Sequence, residues 1–109
     1  QLAANKDNKV AIAKAGAIPL FVALLTTGTA GAKENAAVAL RKLAFDSDNL
    51  VAIAEAGAIP PLVELVTFGT DIAKESAAGA LWILAYNLDN DIAIVNAGAI
   101  PPLVALLMS

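Results

Sequence analysis

The sequence predicts an all-α protein built from stacked, repeated helical units, and three observations predict it. Ala15-Gly16-Ala17-Ile18-Pro19 returns as Ala56-Gly57-Ala58-Ile59-Pro60 and again as Ala97-Gly98-Ala99-Ile100-Pro101, 41 residues apart both times. Sliding the chain along itself by that spacing matches 40 of 68 comparable positions without a gap. The apolar residues of the longest segment in each unit fall on a stripe with the 3.6-residue period of a helix. A self-match of this kind means that each unit covers its apolar side by lying against a neighbour. Function is then to be sought on the surface of a stack.

The first helix of each unit is expected to open at Asp7-Asn8, Asp48-Asn49 and Asp89-Asn90. A short side-chain acceptor there caps free N–H groups, and the acid suits the helix dipole. The helix carries Val10, Ala11 and Ile12, repeated as Val51, Ala52, Ile53 and as Ile92, Ala93, Ile94. It should stop at Gly16, Gly57 and Gly98 after roughly two turns, glycine being the residue that tolerates a left-handed exit. The second helix is expected at Pro19, Pro60 and Pro101, since proline suits a first turn that does not need its N–H. Leu62, Val63, Leu65 and Val66, matched by Leu103, Val104, Leu106 and Leu107, give it a broad apolar face. Thr26 to Gly28 and Thr67 to Gly69 break it, and Thr29 or Thr70 is placed to cap the third helix.

That third helix is expected over about Ala30 to Ala44 and Asp71 to Ala85. Ala36, Ala37, Leu40, Leu43 and Ala44 recur as Ala77, Ala78, Leu81, Leu84 and Ala85, a stripe that must face the core. The opposite stripe is Gly31, Asn35, Val38, Lys42 and Phe45 in one unit and Ile72, Ser76, Gly79, Ile83 and Tyr86 in the next. The repeat leaves these positions free to vary.

Three helices per unit, a glycine break, AGAIPPLV opening the second helix and KExAAxAL on the third resemble armadillo repeats. The near-identical copies are similar to long plant and protist arrays or to consensus-engineered ones. The resemblance covers residues 1–109 almost entirely and implies one domain, a right-handed α-solenoid. Residues 1–4 would end a third helix, 5–45 and 46–86 would be full units, and 87–109 a unit lacking its third helix. It also implies a concave groove of third helices that holds a protein or an extended peptide. The groove positions would be Asn35, Val38, Lys42, Phe45, Ser76, Gly79, Ile83 and Tyr86. Importin alpha places a tryptophan and, four residues later, an asparagine on this helix to hold a peptide backbone. Here those places hold Val38 and Lys42, then Gly79 and Ile83, and Trp82 lies one residue short of the Ile83 position. The amide ladder is missing, so recognition of a nuclear-import signal does not carry over. By resemblance the protein is expected inside the cell; the sequence itself names no compartment.

Composition narrows the function classes. Apolar residues make up 59%, largely through alanine, yet no run approaches the ~18 uninterrupted apolar residues of a membrane helix. With no basic or cleavable apolar leader, a soluble protein without a membrane partner is expected. Cysteine and histidine are both absent. A nucleophilic site would need Ser47, Ser76 or Ser109 activated by a lysine, and no motif places one so, which argues against an enzyme. Gly28-Thr29-Ala30-Gly31 fits no phosphate loop. Asp46-Ser47-Asp48-Asn49 and Asp89-Asn90-Asp91 lack the glycine and distal glutamate of a calcium loop, and they sit where caps belong. No metal and no cofactor are expected.

The net charge of −3 hides a polarity. Residues 1–45 hold Lys6, Lys9, Lys14, Lys33, Arg41 and Lys42 against Asp7 and Glu34, for +4; residues 46–109 hold Lys74 against eight acids, for −7. One end of a linear stack should be basic and the other acidic, an asymmetry that steers ends together at low salt, unless it is chance variation of solvated side chains. The acidity of the whole argues against nucleic acid, whose affinity is carried by accumulated Lys and Arg. Between units Thr27 becomes Phe68, Gly31 becomes Ile72, Arg41 becomes Trp82, Lys42 becomes Ile83 and Ser47 becomes Leu88. These apolar replacements form either a sticky patch or, for Trp82 and Phe68, packing into the seam between units. Two functions follow. One is a non-catalytic scaffold that binds through the groove. The other is a self-assembling module joined through its ends, with Phe68, Ile72, Trp82, Ile100, Leu103, Val104 and Leu107 as candidate contacts.

Overall fold

A computed structural model of the chain describes residues 16–108, and the first-helix residues of the first unit, Asp7-Asn8 with Val10 to Ile12, lie outside them, as do residues 1–4, Lys6, Lys9 and Lys14. Seven helices follow one another among the described residues, with no strand. They are α1 (Ile18–Thr27), α2 (Ala30–Leu43), α3 (Ser47–Glu55), α4 (Ile59–Phe68), α5 (Asp71–Leu84), α6 (Leu88–Asn96) and α7 (Ile100–Met108). The second unit is therefore the triplet α3, α4, α5. α1 and α2 are the second and third helices of the unit before it, and α6 and α7 the first and second helices of the unit after. The architecture is an α-solenoid.

Local signals set the joints. α3 and α6 end in a left-handed glycine, Gly57 at φ +87° and Gly98 at φ +82°. Gly57 N–H donates to Ala54 O at 3.0 Å and Ala58 N–H to Ile53 O at 3.4 Å, a pair of bonds that closes the helix and turns the chain. The axis bends by 86° between α3 and α4, and by 83° at the matching joint between α6 and α7. Pro19 and Pro60 stand in the first turns of α1 and α4, as expected. Thr29 and Thr70 cap α2 and α5, their hydroxyls accepting from Ala32 N–H at 3.2 Å and Ala73 N–H at 3.1 Å.

The caps of α3 and α6 differ from the expectation. Asp46 and Asn87 do the capping, accepting from Asp48 N–H at 3.2 Å and Asn90 N–H at 3.1 Å. Asn49 and Asn90 instead point inward and are buried. Asn49 Nδ2 donates to Leu43 O at 2.9 Å, and Asn90 Nδ2 donates to Leu50 O at 3.2 Å, one unit back. A buried amide is tolerated when it satisfies a backbone carbonyl, and the Asn90 bond ties one unit to the next. Asp46 and Asn87 are themselves spaced by one repeat, so the pattern that identifies the caps was present in the sequence.

The core runs through the stack as one cluster. Leu40, Ile53, Leu62, Leu81 and Leu84 are fully enclosed, and Ala36, Ala37, Ala77 and Ala80 let the helices approach closely. Gly57→Ala puts a Cβ on a left-handed residue. A loss of about 1–2 kcal/mol in unfolding free energy is expected in urea titration. An unchanged midpoint would contradict the joint described above.

Candidate functional site

α2 and α5 lie side by side, more extensively in contact than any other pair. They are parallel, because Glu34 on α2 accepts from the Thr70 hydroxyl at the start of α5, and Arg41 further along α2 reaches Gly79 further along α5. Comparing equivalent residues maps the seam. Ala37 of α2 and Ala44 at its C-terminal cap are buried where their copies Ala78 and Ala85 are only partly so. Ala73, Ser76 and Ala80 of α5 are buried where Ala32, Asn35 and Ala39 of α2 are not. Each third helix thus offers one flank to the unit before it and the other to the unit after. Small residues line both flanks because two backbones must come close.

Gly79 marks a close approach within that seam. A Cβ built on it would stand 2.7 Å from Arg41 Nε and 3.0 Å from Arg41 Cδ. The bare glycine makes room for the arginine stem, which lies across it with an exposed charged head. Sequence reasoning noted Arg41 as a difference between units and as one of the basic charges of residues 1–45. Its true role is as a seam residue, and a glycine opposite it in the neighbouring unit was the available signal.

The outward stripe is divided by the same geometry. Asn35, Lys42, Phe45 and Tyr86 are exposed, while Val38, Gly79 and Ile83 are half-buried, with Ile83 leaning on the core. Ser76 differs from the outward position expected of it. At 5% exposure it sits in the seam, because α5 turns that flank toward α2. The five apolar replacements do not make one patch either. Phe68 ends α4, Ile72 stands at the start of α5, and Trp82 lies ten residues beyond Ile72, about 15 Å away along the helix. Phe68, Ile72, Trp82 and Leu88 are all exposed, so Trp82, at 71%, and Phe68 do not pack into the seam with the unit before them.

α7 is another exposed apolar surface among the described residues. It repeats α4 almost residue for residue, yet none of its residues is buried. Ile100 is 51% exposed against 5% for Ile59, and Leu107 is 86% exposed against 3% for Val66. In the second unit that stripe is covered by α5; nothing among the described residues covers it on α7.

Among the described residues no three acidic side chains gather as a metal site would require. A shallow crevice of about 180 Å³ lies between Leu25, Lys33, Glu64, Phe68 and Thr70, at the end of α5 away from Trp82. No single described helix is long and apolar enough to cross a membrane.

Repeated three-helix units, glycine-proline joints and alanine-lined third helices are the features by which a family can be tested. The model of the Armadillo/beta-catenin-like repeat matches residues 5–45 and 46–86. The chain belongs to this family. Armadillo repeats are generally non-catalytic scaffolds that bind proteins. A stretch of 40 residues is 52% identical to U-box domain-containing protein 13 of Arabidopsis thaliana, covering 37% of this chain and 6% of that protein. No solved structure matches the chain.

The contact between Arg41 and Gly79 is measurable as a coupling between two armadillo units. Gly79→Ala should gain up to about 1 kcal/mol of helix propensity when Arg41 is first replaced by alanine. With Arg41 present the gain should shrink by about 0.5 kcal/mol or more in a double-mutant cycle, and strictly additive effects would show that the two do not touch.

Proposed function

We propose that this armadillo chain is a non-catalytic binding module that engages a protein or an extended peptide across the paired third helices α2 and α5. The observation that carries the reading is the exposed set Asn35, Lys42, Phe45 and Tyr86 on those helices. None of the four is used by the core, and all four lie on or directly after helices that the stack holds rigid. A preformed helical backbone adds no ordering cost on binding, and tyrosine is over-represented among residues that dominate interface energies. The asparagine ladder seen in importin alpha has no counterpart, so recognition falls to side chains. With two third helices the surface is short, and binding to one such chain is weak unless several are linked.

The sequence also pointed to association through the end of the stack, with a second copy as partner. Charge supports it: residues 16–45 carry Lys33, Arg41 and Lys42 against Glu34, for +2, while residues 46–108 carry −7.

Selection from a displayed peptide library, followed by titration of a selected ligand, tests the first reading. Lys42→Glu and Tyr86→Ala should each weaken binding about tenfold or more, with unfolding midpoints unchanged because both side chains are exposed. Ligands that ignore both substitutions would rule out this face.

A further inference from the structure

We propose that the seam between successive units holds a row of side-chain sockets, one per unit step, that takes an extended segment of another protein. That segment carries two aliphatic residues three apart, with a carboxylate beside one of them. The sockets lie at the N-terminal ends of α2 and α5, whereas Lys42 and Tyr86 lie at their C-terminal ends. The proposal therefore goes beyond the open-face reading and stands or falls apart from it.

The first socket is the crevice of about 180 Å³ between the first and second units. The buried pair Leu25 and Leu65 and the charged Lys33 and Glu64 line it. Phe68 lines it too and is 81% exposed, so this aromatic ring belongs to the crevice wall and not to the core. A second crevice, of about 130 Å³, lies between the second and third units. Every residue that lines it is the copy, 41 residues on, of one that lines the first; Val66, Lys74 and Leu106 stand where Leu25, Lys33 and Leu65 stand. The socket thus recurs with the repeat and does not come from an open end of the stack. The second and third helices of both units that meet at the first crevice are all described, and α5 lines it through Gly69, Thr70 and Ala73 without filling it. Further units would stack beyond this seam and would leave the first crevice as it is.

Size, spacing and charge define the occupant. Small-molecule sites run to about 300–1,000 Å³, so crevices of this size suit single side chains. Packed helices lie about 8–10 Å apart. A polyproline-II segment repeats every three residues with a rise of about 3.1 Å per residue, which puts residues three apart on one face and roughly 9 Å from each other. Two anchors at that spacing reach neighbouring sockets, and linking them makes the second entry intramolecular. Lys33 shares the first socket with Glu64, whereas Ala105 stands in the place of Glu64 at the second and leaves Lys74 as the charged residue lining it. A carboxylate beside the second anchor complements Lys74. Among the described residues no stretch outside a helix exceeds three residues, so this part of the chain offers no such segment itself.

The probe is the end-blocked peptide Gly-Leu-Pro-Ser-Leu-Asp-Gly, followed by amide chemical shifts of the isotope-labelled protein. Millimolar peptide should move the amides of Lys33, Thr70 and Lys74 saturably and leave those of Lys42 and Tyr86 in place. Phe68→Ala should weaken binding about tenfold with the unfolding midpoint unchanged, because the ring is exposed. Moving the two leucines one residue closer or further apart should weaken it about as much, since the pair then misses one socket. Lys74→Glu should also weaken it, and exchanging the peptide's aspartate for lysine should restore it. The proposal is overturned if millimolar peptide moves no amide at the crevices, if Phe68→Ala has no effect, or if the spacing of the leucines does not matter. Shifts at Lys42 and Tyr86 instead would overturn it in favour of the open face. Crevice amides that move with protein concentration alone would overturn it in favour of a second copy.

Discussion

Close approach of two parallel helices is the constraint on which this structure depends. α2 and α5 meet through Ala37, Ala44, Ala73 and Ala80, all buried, and through Gly79, where an added Cβ would push the Arg41 side chain aside. The alanine excess in the composition is the chemical form of that requirement. Alanine has good helix propensity and adds no bulk, so it allows both a stable helix and a narrow seam. The leucines Leu40, Leu62, Leu81 and Leu84 then fill the interior, each worth about 1.5–3 kcal/mol when removed from water. α7 shows what the same sequence looks like without such cover. It shares Ile-Pro-Pro-Leu-Val and a following leucine with α4, yet none of its residues is buried. Burial in this fold is thus a property of adjacency, and of sequence only through adjacency.

The joints make adjacency possible. A left-handed glycine and a proline within three residues of it turn the chain by 86° and 83° at the two described first-to-second-helix joints. Because the bends repeat, the third helices come out side by side, and hydrogen bonds lock the order. Asn90 reaches Leu50 O and Thr70 reaches Glu34, each crossing from one unit to the next. Individually such bonds contribute little, about 0.5–1.5 kcal/mol. Their role is to fix register, which the shallow alanine seam by itself would leave loose. A rigid register in turn holds Lys42, Phe45 and Tyr86 in place on the outer face.

Much of this was legible in the residues. Thr29, Thr70, Gly57 and Gly98 announced their roles by identity and spacing, because caps and left-handed turns accept few residue types. The family followed from the same repeats. What failed was rotational. Ser76 reads as outward from the repeat, since its copy Asn35 differs from it, but it sits in the seam. Variation between copies marks positions that are free of the shared core, and the two flanks of a third helix are as free of that core as the outer face. Asn49 and Asn90 misled for a related reason. A short polar residue near a helix start looks like a cap, and only the tertiary position of Leu43 O and Leu50 O shows that these amides serve neighbours instead. Arg41 was undervalued because its partner is an absent side chain on another helix.

Native-state hydrogen exchange on Ala80→Leu tests the claim about adjacency most directly. Ala80 is buried on the flank that α5 turns to α2, and overfilling it should cost about 1–3 kcal/mol. If the units hold each other folded, amides in α1 and α2 should lose protection together with those in α4 and α5, by the same free energy. Loss confined to α5, with α1 and α2 as protected as before, would mean that each unit stands alone and that the seam is contact without consequence.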